Sequence, residues 1–364
     1  MRIVVTGADG FIGRNLRLRL SELNHVDVSS ITRKMLPGEV RASLVEADFV
    51  FHLAGVNRPQ NPAEFDIGNA GLTQTLCDVL AACGGRAAMV FASSTQALLS
   101  NPYGRSKLAA EEAVRSYGAA TGAPVHVFRL TNVFGKWARP NYNSAVATFC
   151  HNLARGLPIT VNDPAAPLEL VYVDDVIECF VQLLDGQSFA AVAPEYRTTV
   201  GEVAEILKSF SDSSVTLLIP SVGTGLLRAL YSTYVSYLPP ERFAYTVPLH
   251  ADSRGKFVEM LKTPDCGQFS YFTAHPGISR GGHYHHSKTE KFLVIRGHAR
   301  FRFRHMQTGQ THEIFTNAEK PVIVETVPGW THDITNIGTE EMIVMLWANE
   351  VFDRARPDTF PCPV

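Results

Sequence analysis

The first 185 residues alternate short apolar runs with segments whose apolar residues recur at helical spacing. The apolar runs are 3–5, 48–54, 88–93 and 125–130, and the helical segments are 13–22, 69–82 and 107–120. This alternation predicts a parallel β-sheet that is wound on both faces by helices. We therefore expect an α/β domain with a doubly wound parallel sheet.

The pattern changes at about residue 186, after which helices dominate as far as residue 243. A capping-box pattern at Thr199 and Glu202 precedes the segment 203–210, and a second helix is predicted over 226–237. The double proline at 239 and 240 marks a boundary. We predict a first domain of residues 1–243, made of a nucleotide core (1–185) and a helical substrate part (186–243).

Beyond residue 244 the pattern is that of short alternating strands separated by Gly, Pro and Asn turns. The strands are predicted at 256–261, 292–295, 299–303, 322–326 and 342–346. Short strands at this spacing indicate an all-β barrel, which we assign to residues 244–364.

Composition narrows the classes of protein. The 364 residues are 45% apolar and 19% charged, and 33 basic against 35 acidic residues give a net charge of −2. We expect neither nucleic acid nor an anionic membrane as a partner. No apolar run is as long as a membrane span and the chain opens in a strand-like run, so a cytoplasmic protein is expected. Six scattered cysteines without a CxxC pair indicate reduced thiols.

A glycine-rich segment, TGADGFIG over residues 6–13, follows the first predicted strand and opens the first helix. Glycines in this context permit the tight turn and the close approach of a pyrophosphate to the backbone at the helix N-terminus. A site that prefers NAD would place an acid at the end of the second strand, but the chain has Arg33 and Lys34 there. Since a cation attracts a 2′-phosphate, we predict NADPH as the cofactor.

A tyrosine and a lysine stand four residues apart at the start of a helix, at Tyr103 and Lys107. They share one helix face, so the ammonium can favour the ionised phenol. Such a pair beside a nicotinamide supplies an acid or base for a carbonyl–alcohol interconversion, and a serine at the end of the preceding strand can hold the carbonyl oxygen. Ser93 and Ser94 are both placed for that role.

Together these motifs resemble the extended short-chain dehydrogenase/reductases that act on nucleotide sugars. Further matching segments are HLAG at 52–55, NAGLT at 69–73, RLTNVFG at 129–135 and YVDDV at 172–176. The resemblance implies a Rossmann-type fold with Ser94, Tyr103 and Lys107 as catalytic residues and Asn132 on the sugar side. It places cofactor contacts at Gly7, Gly10, Phe11, Ile12, Gly13, Arg33, Leu53, Ala54, Tyr103 and Lys107. The short stretch between Arg33 and Asp48 leaves the third strand of that family open.

The C-terminal part carries nine of the 13 histidines. His283 and His285 share a face if they lie on a strand, Glu290 follows in the next strand, and His332 comes from another. Three imidazoles and a carboxylate suit a first-row divalent metal, with zinc favoured. His286 points to the opposite face and is predicted to lie at the surface.

The spacing of these four residues resembles the signature motifs of the cupin superfamily. Segments around Arg254 and Arg280 also resemble deoxysugar 3,5-epimerase cupins, in which arginines hold the nucleotide diphosphate and a histidine at the position of His283 is the base. A metal-bound His283 cannot be that base, and we favour the ligand. Tyr284, Lys291 and His312 remain as alternative bases.

Over its whole length the chain resembles the CapF-type bifunctional capsular polysaccharide synthesis enzymes. The resemblance implies a UDP-linked 4-keto-6-deoxy-N-acetylhexosamine that is epimerised at C3 in the cupin and then reduced at C4 with NADPH, on the route to UDP-N-acetyl-L-fucosamine. It also implies a homodimer. The alternatives are a 4-ketoreductase whose cupin is only a structural, dimerisation or sugar-binding module, and a non-catalytic nucleotide sensor, against which Tyr103 and Lys107 argue.

Overall fold

The computed structural model describes residues 1–35, 37–84, 86–252, 255–258, 260–261, 263, 267–350 and 355–364, with the side chains of 37, 249–252, 255–258 and 268 left out. The chain separates into two compact units. The first is Met1–Val133 with Glu169–Arg197, and the second is Phe134–Leu168 with Thr198–Val364. The domain boundary after residue 243 stays a prediction.

Each of the five predicted helical segments corresponds to a helix whose bounds differ by a few residues, and the described residues form further helices that were not predicted. In chain order they are α1 (Phe11–Ser21), α2 (Pro37–Val45), α3 (Ala63–Phe65), α4 (Leu72–Ala82), α5 (Pro102–Thr121), α6 (Ala145–Leu153), α7 (Val173–Gln182), α8 (Val200–Thr216) and α9 (Gly225–Ser236). A π-helix covers Asp66–Gly71, and 3₁₀ turns cover Thr95–Leu98, Leu183–Asp185 and Pro240–Arg242.

The strands of the first part of the chain are β1 (Arg2–Thr6), β2 (Asp27–Ile31), β3 (Phe49–His52), β4 (Ala88–Ser94), β5 (Val125–Leu130), β6 (Asn132–Phe134), β7 (Pro167–Tyr172) and β8 (Glu195–Thr199). Those that follow are β9 (Ala244–Thr246), β10 (Leu249–Asp252), β11 (Gly255–Val258), β12 (Gln268–Ala274), β13 (Ser279–Tyr284), β14 (Glu290–Arg296), β15 (His298–His305), β16 (Thr311–Asn317), β17 (Val322–Glu325), β18 (Trp330–Asn336), β19 (Met342–Ala348) and β20 (Phe360–Pro361).

The core of the first unit is a parallel sheet in the order β2-β1-β3-β4-β5, which confirms the predicted doubly wound sheet. Strands β1, β3 and β4 are almost entirely buried, because helices cover both faces of a parallel sheet. Among the described residues, the chain between β2 and β3 forms the helix α2 and no strand, and β2 lies at one edge of the sheet.

The second unit contains two antiparallel five-stranded sheets, in the orders β12-β19-β14-β17-β9 and β16-β15-β18-β13-β20. Aromatic side chains of the two sheets pack together, with the rings of Phe292 and Phe301 5.7 Å apart. This is the predicted all-β, cupin-like part. Helix α8 begins with the predicted capping box, in which Thr199 and Glu202 bond each other's backbone N–H groups.

Among the described residues, no helix is both long and apolar enough to span a membrane.

Candidate functional site

The glycine-rich turn lies between the end of β1 and the start of α1. Gly7 has a left-handed φ of +66°, and a Cβ atom there would lie 2.7 Å from the backbone nitrogen of Ala54. A Cβ atom on Gly13 would lie 2.3 Å from the carbonyl oxygen of Gly7. Gly10 occupies the N-cap position of α1, and since glycine has no side chain, the first N–H groups of the helix receive no side-chain hydrogen bond there. An uncapped helix N-terminus behind closely packed glycines fits the phosphates of a dinucleotide.

His52 links the end of β1 to the start of α4 beneath this turn through two hydrogen bonds. Its Nδ1 is hydrogen-bonded to Thr6 Oγ1 at 2.7 Å, and its Nε2 is hydrogen-bonded to Thr73 Oγ1 at 2.8 Å. Thr6 Oγ1 in turn accepts from the backbone N–H of Ala54 at 3.2 Å. Burial and the nearby Lys107 ammonium lower the pKa of His52 to about 3. The imidazole is therefore neutral and serves as a structural link.

Tyr103 and Ser94 meet at the carboxyl end of β4. Ser94 is the last residue of β4, and its hydroxyl lies near the phenol of Tyr103 in the first turn of α5. The side chain of Asn101 caps that turn by accepting from the backbone N–H of Gly104 at 2.7 Å. Burial raises the pKa of Tyr103, and the nearby Ser94 side chain opposes the rise. The phenol is therefore protonated at neutral pH.

Ser93 points to the other side of β4. Its hydroxyl donates to Glu111 Oε1 at 2.6 Å, and the same carboxylate accepts from Arg129 Nε at 2.8 Å and Nη2 at 2.7 Å. Of the two serines left open by the sequence, Ser94 is the one beside Tyr103.

Lys107 lies one helical turn after Tyr103, in the interior of the unit. Its Nζ donates to the carbonyl oxygen of Ala92 at 2.9 Å and lies 4.8 Å from the centre of the Phe91 ring. Burial lowers the pKa of Lys107 to about 8, although the Glu111 carboxylate acts in the opposite direction. Asn69 Oδ1 and Lys107 Nζ both lie close to Gly55. A Cβ atom added to Gly55 would lie 2.8 Å from the first atom and 3.4 Å from the second.

His283, His285, Glu290 and His332 form one cluster in the second unit, and one nitrogen or oxygen ligand atom from each lies within 4.8 Å of the others. Antiparallel pairing places His283 of β13 opposite His332 of β18, after a bulge between Gly281 and His283. Glu290 opens β14, and its Oε2 lies 3.2 Å from His285 Nε2 and 3.7 Å from His332 Nε2. The predicted quartet is therefore brought together.

The shifted pKa values of His283, His332 and Glu290 favour the protonation states that metal ligands require. Burial, followed by the neighbouring imidazoles, lowers the pKa of His283 to about 3, and burial also lowers the pKa of His332. Burial by itself would raise the pKa of Glu290, but His285 and His332 bring it well below the usual value. Both ring nitrogens of His332 are buried without a hydrogen-bond partner. Orphaned imidazole nitrogens beside an ionised carboxylate fit a divalent cation.

Two protein-family models match the chain. The NAD dependent epimerase/dehydratase family matches residues 3–193, and the polysaccharide biosynthesis C-terminal domain matches residues 250–360. The chain belongs to the NAD dependent epimerase/dehydratase family. Its C-terminal part carries the second domain, so this family member is CapF-like over its whole length.

Relatives of this epimerase/dehydratase family member include full-length ones. A Pseudomonas aeruginosa protein named UDP-2-acetamido-2,6-beta-L-arabino-hexul-4-ose reductase is 57% identical over 100% of this chain and 99% of its own. The crystal structure of CapF from Staphylococcus aureus is 39% identical, covers 100% of both chains and has a TM-score of 0.70. The structure of RMD from Pseudomonas aeruginosa complexed with NADPH is 25% identical, covers 58% of this chain and 84% of its own, and has a TM-score of 0.50.

The remaining predicted site residues lie in several places. Arg33 is exposed in the turn after β2, and the exposed Asn132 donates to the carbonyl oxygen of Glu169 at 3.0 Å. The guanidinium of Arg280 lies 5.3 Å from the centre of the Phe272 ring. Arg254 falls outside the described residues. His286, predicted to lie at the surface, is instead half-buried, with its ring 5.0 Å from that of Phe360.

Two of the candidate bases in the cupin-like part, Lys291 and Tyr284, are buried in contacts with other side chains. Lys291 is buried in an ion pair with Glu325 and also donates to the Tyr245 hydroxyl at 3.1 Å. Tyr284 is buried, and its ring stacks on Phe360 at 5.5 Å. His312 shares a sheet face with His332, but Phe303 lies between them in the strand register.

Sequence reasoning missed Glu111, Lys288 and Asp358. Glu111 aligns Ser93 and Arg129, whereas Asp358 and Lys288 contact the histidine–glutamate cluster. A completely buried acid in a helix is indistinguishable in sequence from an exposed one. The one available signal was Arg129 in the RLTN segment, because a cation in an otherwise apolar strand requires an acidic partner.

Proposed function

We propose that the chain is a reductase that converts the 4-keto group of a UDP-linked 2-acetamido-2,6-dideoxyhexulose to an alcohol with NADPH, in polysaccharide biosynthesis. The observation that carries the proposal is the proximity of Ser94 to the Tyr103 phenol at the carboxyl edge of the parallel sheet, with buried Lys107 one turn further along the same helix. The full-length similarity to the Pseudomonas aeruginosa reductase supports this substrate class.

The three side chains divide the reaction between them. Bound NADPH supplies the hydride. The Ser94 hydroxyl orients the carbonyl oxygen, and the protonated phenol of Tyr103 donates the proton that the new alkoxide needs. Lys107, one turn away on α5, supplies a positive charge that stabilises the phenolate left after this donation. The uncapped start of α1 behind Gly7 and Gly13 holds the dinucleotide phosphates.

NADPH is proposed over NADH on local charge. Arg33 follows β2, at the position where a carboxylate would otherwise bind the ribose hydroxyls, and it is exposed to solvent. Replacement of Arg33 by serine should raise the KM for NADPH by at least tenfold and leave that for NADH within about twofold, because a single charged hydrogen bond contributes about 1.5 to 3 kcal/mol.

The Tyr103→Phe variant tests the reductase proposal. Loss of the proton donor should lower kcat by about 100- to 10,000-fold, with NADPH binding retained. The measurements are NADPH oxidation with the UDP-4-keto sugar and fluorescence titration of NADPH. Ser93→Ala is the matched control, because Ser93 lies on the same strand but faces Glu111, and its kcat should stay within a few-fold. A Tyr103→Phe variant with wild-type kcat would rule out this mechanism.

A second activity is supported by the histidine–glutamate cluster. We propose that the cupin-like part binds a divalent metal, with zinc favoured, through His283, His285, Glu290 and His332, and epimerises the keto sugar at C3. A 4-keto group acidifies the C3 hydrogen, and a bound divalent cation supplies Lewis acidity toward the developing negative charge. Neutral His283 and ionised Glu290 are the ligand forms of these residues.

Proton exchange in D₂O without NADPH separates the two activities. Epimerisation predicts deuterium at C3 of the keto sugar by NMR, abolished in His283→Ala and preserved in Tyr103→Phe. The absence of C3 exchange in the metal-loaded wild type would leave only the reductase, with the cupin-like part as a structural or sugar-binding module.

A further inference from the structure

Residues 357–362 contact the strand that carries His283 and the turn that leads from His285 to Glu290. Strand β20 pairs with β13, so that Pro361 lies opposite the ligand His283 and Phe360 lies opposite Tyr284. The backbone N–H of Cys362 continues this pairing by donating to the carbonyl oxygen of Gly282 at 2.7 Å. Residues before this strand, from Pro357 to Thr359, contact the turn that leads from His285 to Glu290.

Asp358 makes contacts to this turn through both its backbone and its side chain. Its carbonyl oxygen accepts from His285 Nδ1–H at 2.6 Å. Its carboxylate accepts the backbone N–H groups of His286, Ser287 and Lys288 at 2.9, 2.9 and 2.7 Å. The Ser287 hydroxyl donates to Oδ2 at 3.1 Å. Asp358 adopts a left-handed φ of 36°, which lets its carbonyl group and carboxylate face the same turn.

Thr359 acts on the carboxylate ligand through Lys288. Lys288 Nζ donates to Thr359 Oγ1 at 2.7 Å and lies 3.9 Å from Glu290 Oε1. The other oxygen of Glu290, Oε2, faces His285 and His332. The C-terminal segment therefore orients two of the four clustered side chains, one through a backbone carbonyl and one through a lysine.

We propose that Asp358 is a positioning residue that clasps the turn 285–288 and so sets the tautomer and orientation of His285 for metal binding. The inference rests on the proposed metal role of the cluster. A carbonyl oxygen can only accept, so the proton of a neutral His285 is held on Nδ1 and the lone pair is held on Nε2, toward Glu290. Loss of a partner that orients a ligand typically costs about 10- to 100-fold in metal affinity.

Two substitutions isolate the carboxylate. Asp358→Gly keeps the backbone carbonyl and tolerates the left-handed φ, so it removes the side chain without adding backbone strain. Asp358→Asn keeps the size and also tolerates this φ, but it places an N–H₂ group against backbone donors. Ser279→Ala is the matched control, because it removes the 2.7 Å hydrogen bond to Thr335 between β13 and β18, the strands that carry His283 and His332, and leaves the contacts of Asp358 in place.

The full-length variants are loaded with Zn²⁺, and the rate of zinc transfer to a chromogenic chelator is measured. The visible spectrum of the Co²⁺-loaded forms reports ligand geometry. Both Asp358 variants should release zinc about 10- to 100-fold faster than wild type and change the Co²⁺ bands. Ser279→Ala should stay within about twofold with an unchanged spectrum, even if its melting temperature falls.

The outcomes separate the two ideas. Wild-type release rates and wild-type Co²⁺ spectra in both Asp358 variants would overturn the positioning role while leaving the metal site intact. Lower melting temperatures of the metal-free variants with an unchanged spectrum and release rate would likewise reduce Asp358 to a structural residue. Failure of the wild-type chain to take up either metal would overturn the metal proposal itself.

Discussion

The charge of Lys107 depends on pH in a range close to neutral. Burial lowers its pKa to about 8, so the folded chain loses this proton at a lower pH than the unfolded chain does. If its charge stabilises the Tyr103 phenolate, kcat/KM for the keto sugar should fall as the pH rises through about 8. The test is the pH profile of kcat/KM from 6 to 10, and a flat profile in that range would contradict this role.

The lowered pKa of Lys107 affects stability in the opposite direction from activity. Between about pH 8 and the unfolded pKa of lysine, about 10.4, the unfolded chain binds more protons at this position. The Lys107 contribution to the free energy of unfolding therefore becomes more favourable with rising pH, while activity falls. Urea unfolding of the wild type and of Lys107→Met at pH 7.5 and 9.5 measures this contribution. The free energy of unfolding of the wild type should rise relative to that of the variant at the higher pH.

Glu111 on α5 is a buried acid whose pKa is lowered by its hydrogen-bond partners. Its side chain is completely buried and accepts hydrogen bonds from Ser93 and Arg129. Glu111→Gln breaks a buried ion pair, so we expect the free energy of unfolding to fall by about 3 kcal/mol. Since the pKa of Glu111 is lowered in the fold, this difference should shrink as the pH falls below about 4.

Urea unfolding at pH 7 measures the loss. The control is Glu112→Gln, an adjacent and exposed acid on α5, which should change stability by less than about 0.5 kcal/mol. Equal stabilities of the two variants would show that the pairing of Glu111 contributes nothing.

At the level of elements, Gly104 determines how closely α5 approaches the 3₁₀ turn Thr95–Leu98. A Cβ atom there would lie within 2.4 Å of the carbonyl oxygens of Gln96 and Leu99. Gly104→Ala should therefore displace this turn from α5 and separate Ser94 from Tyr103. A misplacement of about 1 Å can lower kcat by about 100-fold.

Gly118→Ala on the same helix provides the comparison. Its Cβ atom would meet the side chain of Val125, 2.8 Å away, at the far end of α5. Both variants should lose thermal stability, but only Gly104→Ala should lose kcat in the NADPH oxidation assay. An unchanged kcat for Gly104→Ala would show that the close approach does not set the Ser94–Tyr103 geometry.

The elements that the sequence predicted well are those whose burial follows a simple period. Helix α5 was predicted over 107–120 and covers Pro102–Thr121, since its apolar side recurs at helical spacing. Strand β18 reads WTHDITN, and all its residues are buried. The sequence placed His332 on a strand, but the hydrophobic pattern gave that strand no bounds. Its polar side chains lie in the barrel and in ion pairs, which a hydrophobic pattern does not register. The same limit hid Asp358, whose partners precede it by about 70 residues.

For the whole molecule, the motifs predicted which side chains lie close together. The predicted quartet and the Tyr103–Ser94 pair are brought together by the fold, because strand ends and strand register follow from spacing. The choice between Ser93 and Ser94 needed the position of Glu111, which no local pattern supplies. The division of the chain into domains and the homodimer remain predictions.

The most direct test of the reductase follows the hydride. The full-length enzyme is incubated with UDP-2-acetamido-2,6-dideoxyhexul-4-ose and NADPH deuterated at the reactive carbon, and the product is analysed by NMR. The account predicts one deuterium at C4 of the sugar for each cofactor oxidised, at a rate lowered at least 100-fold in Tyr103→Phe. Cofactor oxidation without deuterium at C4, or no oxidation by the wild-type enzyme, would contradict it.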